Sequence, residues 1–216
     1  IVWLVVFPPR TNKKSARLEL LRLRVLKLNS YPDVSPGYWA ELPINCISTL
    51  GMIKGYPDGQ FGPEGDITRA ELAALLIRVK GEPPRAYERK FDDVLLSHWA
   101  SAYINEAVND GVAKGFPDGT FKPNDNVTRA EGLAMIARFA GVAQEAPAIQ
   151  TDVPREHWIY KILGGALKAG MLQFLAGKPF EPNQKLTRAE AVELLYRAPK
   201  INNGVVKQLL DFEKGY

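Results

Sequence analysis

The sequence predicts an all-α fold in which three helix-loop-helix units share one core around a pseudo-threefold axis, and three observations carry that prediction. One pattern recurs: Gly55-Tyr-Pro-Asp-Gly-Gln-Phe61 then Ile67-Thr-Arg-Ala-Glu71, Gly115-Phe-Pro-Asp-Gly-Thr-Phe121 then Val127-Thr-Arg-Ala-Glu131, and a third Leu186-Thr-Arg-Ala-Glu190. The landmarks keep one period, since Arg69, Arg129 and Arg188, like Trp39, Trp99 and Trp158, are spaced 60 and 59 residues apart. Each copy also sets apolar residues at helical spacing between recognisable starts and stops. A two-helix unit buries too little apolar surface to stand alone, so the three are expected to share a core.

Residues 1–30 differ in kind. They carry seven Lys/Arg against one acid, while the rest of the chain carries 21 against 23. Arg and Lys alternate there with Leu and Val, the pattern of half-buried strands, so 1–30 reads as a short β arm or the edge of an upstream β domain rather than a nucleic-acid arm. Two strands are expected within Ile1–Phe7 and Leu18–Leu28. The opening apolar run is too short to span a bilayer and lacks the marks of a signal peptide, and the absent initiator Met suggests a fragment.

Residues 31–200 form the module, divided as 31–82, 91–142 and 151–200, and 201–216 form a tail. In each unit an Asp-Val pair (Asp33, Asp93, Asp152) precedes the Trp. In the second unit the first helix is expected from about His98 to Asp110, with Trp99, Tyr103, Ile104, Ala107 and Val108 on its apolar face and Gly111 as its stop. Gly51 and Gly170 hold the equivalent stop. Pro43 falls within the first unit's helix, which calls for first-turn placement or a kink. Pro-Asp-Gly then makes a tight turn, and Phe61, Phe121 and Phe180 plug the loops into the core. Asp58 and Asp118 are turn residues.

The second helix of each unit opens on a capping box, with Thr68, Thr128 and Thr187 as N-caps and Glu71, Glu131 and Glu190 returning to the Thr amide. Gly81, Gly141 and Pro199 end these helices. Capping does not require the Arg between Thr and Glu. A cation at the positive end of a helix calls for an anionic partner, either a ligand or an internal carboxylate.

These motifs resemble those of S-layer homology repeats, modules that hold bacterial surface proteins on the cell wall; the resemblance covers about residues 31–200. It implies a three-pronged bundle, extracellular at the cell wall or S-layer, that binds secondary cell-wall polysaccharide in grooves between the prongs. The sugar is often a terminal pyruvyl-ketal N-acetylmannosamine, in some lineages another peptidoglycan-linked glycan. By position it assigns Arg69, Arg129 and Arg188 to the carboxylate, with Trp39, Trp99, Trp158, Asp33, Asp93 and Asp152 shaping the grooves. A guanidinium beside free amides at a helix N-terminus suits such an anion. From the residues alone the tryptophans read as core on an apolar helix face before sugar platform, and the aspartates as turn caps or braces with groove contact secondary. The third loop, Phe174-Leu-Ala-Gly-Lys178, loses the Pro-Asp-Gly turn, which makes the Arg188 groove the one expected to depart.

Other classes fit less well. The two histidines, His98 and His157, precede a Trp where the first unit has Tyr38, a poor pattern for a general base, and no nucleophile elbow, phosphate loop or metal signature appears. No enzyme activity, cofactor, metal, nucleic acid or membrane span is expected. A protein-interaction or lattice scaffold without sugar is the alternative.

Overall fold

The computed structural model describes residues 2–5, 24–81, 83–85, 88–149 and 151–201. In the N-terminal arm, β1 (Val2–Val5) pairs antiparallel with β2 (Arg24–Lys27), Val2 opposite Lys27. The rest is helical: α1 (Glu41–Thr49), α2 (Arg69–Val79), α3 (Ser101–Asn109), α4 (Arg129–Ala140), α5 (Tyr160–Lys168) and α6 (Arg188–Arg197). Residues 202–216 lie outside the described residues.

The capping boxes start α2, α4 and α6 as their chemistry requires. Thr68, Thr128 and Thr187 accept from the amides of Glu71, Glu131 and Glu190, and each Glu carboxylate accepts from the Thr amide in return. Gly51, Gly111 and Gly170 follow α1, α3 and α5 in the left-handed region, at φ of 71°, 70° and 72°. Pro43 sits in the first turn of α1, where its missing N–H leaves no helical bond unmade. The helix expected from His98 begins later, at Ser101. Residues 96–100 are turns, and the His98 Nδ1 atom accepts from the Ala100 amide at 3.1 Å, giving this helix start a local acceptor.

The threefold axis is built from backbone. Ile67 N donates to Leu186 O (3.0 Å), Leu186 N to Val127 O (2.9 Å) and Val127 N to Ile67 O (3.1 Å), a closed ring of three bonds between residues with no exposed surface. Helices pair across units around it. α2 packs on α3, α4 on α5, and α6 returns to α1, so the first and last units close the circle. The buried apolar side chains of all three units form one cluster. Near the axis the equivalent helix positions hold Leu72, Gly132 and Ala191, large beside small. A Cβ on Gly132 would lie 2.3 Å from Leu186 Cδ2, so that glycine makes room for the axis to close.

Under the first two loops an aromatic ring supports the plug: Tyr31 meets Phe61 at 5.3 Å and Phe91 meets Phe121 at 5.4 Å between centroids. Those rings lie against Gly55 and Gly115, where a Cβ would fall 2.6 and 2.1 Å from ring carbons. The third unit has Phe174 in place of that glycine and Gln150, outside the described residues, in place of the ring. A cavity of about 400 Å³ lies there instead, lined by Leu163, Leu167, Leu172, Leu175 and Phe180.

Candidate ligand grooves between the units

Each groove starts from an aspartate that shapes a loop. Asp33 accepts from the amides of Phe61 and Gly62, Asp93 from Phe121 and Lys122, and Asp152 from Phe180 and Glu181, at 2.6 to 3.1 Å. Pointing two successive amides at one carboxylate needs a left-handed residue, which explains φ of 68° at Gly62, 57° at Lys122 and 51° at Glu181. Burial pushes the Asp33 carboxyl up, but the Phe61 and Gly62 amides outweigh it and hold the group below its usual value. The aspartates are thus loop braces, one step removed from the groove surface.

The braced loop presents the Phe carbonyl to an arginine of the preceding unit. Arg69 donates through Nε to Phe121 O (2.8 Å) and through Nη2 to Lys114 O (2.9 Å). Arg188 repeats this on the first unit's loop, with Phe61 O and Lys54 O both at 3.0 Å. Both guanidiniums stack on rings: Arg69 over Phe116 and Phe121 at 4.7 and 4.8 Å, Arg188 over Tyr56 and Phe61 at 4.6 and 4.8 Å. The amides expected to be free are taken. Arg69 and Ala70 donate to Asp125 O and Pro123 O, Arg129 and Ala130 to Gln184 O and Pro182 O, and Arg188 and Ala189 to Gly65 O and Pro63 O. Neighbouring loops thus occupy the helix ends, and these amides are not open to a ligand.

All three arginines are buried, yet their charge partners differ. Among the described residues no carboxylate lies within ion-pair distance of Arg69. Burial pulls its pKa below the usual arginine value, against the opposing pull of Glu131, Asp125 and Asp93. Arg188 has Glu71 at 3.6 Å. Arg129 is ion-paired at 2.7 Å to Glu190 and at 3.0 Å to Glu181.

The tryptophans complete the grooves from a third unit. A cavity of about 140 Å³ is lined by Arg69 of the first unit, Lys114, Phe116, Glu131, Met135 and Arg138 of the second, and Trp158 of the third. Trp39, Trp99 and Trp158 are 45%, 54% and 55% exposed, which overturns their reading as core residues. They sit in the turn two residues before a helix begins, off the apolar face where periodicity placed them. In the sister groove Arg78, the counterpart of Arg138, lies 6.0 Å from Trp99. The third loop departs as expected, with a 3-10 turn at Gln173–Leu175, but the arginine facing it is Arg129, not Arg188. Sequence reasoning also missed Lys54, Lys114, Arg78 and Arg138. The signal was present, since each pair of cations repeats with the same 60-residue period.

The S-layer homology domain model matches residues 30–73, 90–131 and 151–192. The chain is 31% identical to Cell surface glycoprotein 1 of Acetivibrio thermocellus over 76% of this chain and 8% of that protein. It is 35% identical to the Cellulosome-anchoring protein of the same organism over 61% of this chain and 31% of that one. The S-layer protein of Bacillus licheniformis is 31% identical over 77% of this chain and 19% of its own length. The chain therefore spans less than a third of each of these relatives. Three tandem family matches laid over a closed threefold fold mean that the chain belongs to the S-layer homology domain family, as a cell-surface anchoring module of the bacterial cell wall or surface layer.

Proposed function

We propose that this module is non-catalytic and anchors by binding secondary cell-wall polysaccharide, through an anionic sugar terminus such as a pyruvyl ketal, in the grooves between units. The observation that carries the reading is the Arg69 groove: a buried guanidinium without a described carboxylate at ion-pair distance, beside two exposed cations, Lys114 and Arg138, and an exposed indole. One acid, Glu131, lines the same cavity, so the groove carries an excess of positive charge. A carboxylate suits the cations and the apolar face of a sugar suits Phe116 and Trp158. The relatives' names support the anchoring role.

The test is co-sedimentation of the chain with purified cell-wall fragments, before and after mild acid removal of ketal groups. Retention that falls at least tenfold after acid treatment supports the anionic-sugar reading. Retention indifferent to the ketal moves the ligand to another wall glycan, and no retention of folded protein leaves a scaffold without sugar.

A further inference from the structure

We infer that this chain has two working grooves, those of Arg69 and Arg188, and that the third is closed by its own side chains. This inference rests on the anionic-glycan reading and deepens it by assigning which faces carry ligand. Four differences, each on a different residue, separate the Arg129 groove from the other two. Its guanidinium is held by two carboxylates, Glu190 at 2.7 Å and Glu181 at 3.0 Å, where Arg188 has the single Glu71 at 3.6 Å and Arg69 has none within ion-pair distance among the described residues. Where the others have Lys54 and Lys114 it has Gln173, whose amide oxygen accepts from Arg197 at 2.5 Å. Where they offer the rings of Tyr56 and Phe116 it has Leu175.

The fourth difference closes the mouth. Trp39, counterpart of the indoles in the other grooves, lies flat on Phe174, with centroids 5.2 Å apart and planes 14° from parallel. Phe174 occupies the position held by Gly55 and Gly115, where a side chain would strike the ring beneath the loop. Its ring lies on Trp39 instead, over the surface a sugar would need. Arg197, matching Arg78 and Arg138 in register, is bound to Glu193 and Gln173. Two cations here face Glu181, Glu190 and Glu193, so an incoming carboxylate meets no unpaired positive charge. The groove serves as a latch between the first and third units, at the seam where α6 meets α1.

Titration calorimetry with the methyl glycoside of pyruvyl-ketal N-acetylmannosamine reads the stoichiometry directly. Two equivalents are expected for the unaltered chain, one for Lys54→Ala, one for Lys114→Ala, and two for Arg197→Ala. The lysine variants keep the backbone carbonyls that hold Arg188 and Arg69, so the fold survives them. Trp fluorescence supplies a second readout on the intact third groove. Ligand-induced change should be reduced by Trp99→Phe and by Trp158→Phe, and unchanged by Trp39→Phe. Three equivalents, or one, or loss of a site on Arg197→Ala would overturn the inference. Absence of heat with every variant would overturn the anionic-sugar reading itself and this assignment with it, whereas a wrong count with real binding sinks this assignment alone.

Discussion

At the scale of single residues, the Arg69 and Arg188 grooves depend on a chain of three contacts: aspartate to loop amides, loop carbonyl to guanidinium, guanidinium to ring. The first contact makes stability depend on pH. Asp33 titrates below its ordinary 3.8 in the folded chain, so its contribution is complete above about that value and is lost as pH falls through the folded value. Melting temperature should therefore drop on acidification below about pH 4, and the drop should be smaller in Asp33→Asn. A thermal scan across pH 2.5 to 6 in both proteins checks this; parallel curves would show that the carboxylate braces nothing.

At the scale of elements, the N-termini of α2, α4 and α6 were legible because a capping box is local: Thr and Glu three residues apart settle their own geometry. The start of α3 was not. Trp99 continues the apolar spacing, but Leu96 to Ala100 is spent in turns that lift the indole into solvent. Gly132 shows what helix propensity alone would misjudge. Glycine in mid-helix costs ~1 kcal/mol relative to alanine, yet at this position a Cβ meets Leu186 Cδ2 at 2.3 Å. Gly132→Ala should lower stability by about 1 kcal/mol net, because overpacking of roughly 1–3 kcal/mol outweighs the gain in propensity. Urea denaturation decides it, and a stabilised variant would mean that Leu186 can move aside freely.

At the scale of the whole molecule, the repeat gave away the threefold plan, and the assembly of each groove stayed hidden. A groove takes its arginine from one unit, its loop from the next and its tryptophan from the third, and no spacing along the chain states which units meet. Because α1 packs on α6, a chain ending at residue 149 leaves α1 without its partner and breaks the ring of Ile67, Val127 and Leu186. That truncated chain should lose cooperative unfolding, seen as a broad, low-amplitude thermal transition by circular dichroism. A sharp transition would show that two units suffice.

The same closure sets the site, since only the return of the third unit to the first brings Lys54 to Arg188, and only the third unit supplies Trp158 to the groove of Arg69 and Lys114. Whether these grooves carry the anchoring is decided by calorimetric titration of purified ketal-bearing wall polysaccharide into the unaltered chain and into Lys54→Ala/Lys114→Ala. Binding is expected to be at least tenfold weaker in the double variant, with its melting temperature unchanged. Equal binding by the two proteins would contradict it, and would place the anchoring contact outside these grooves.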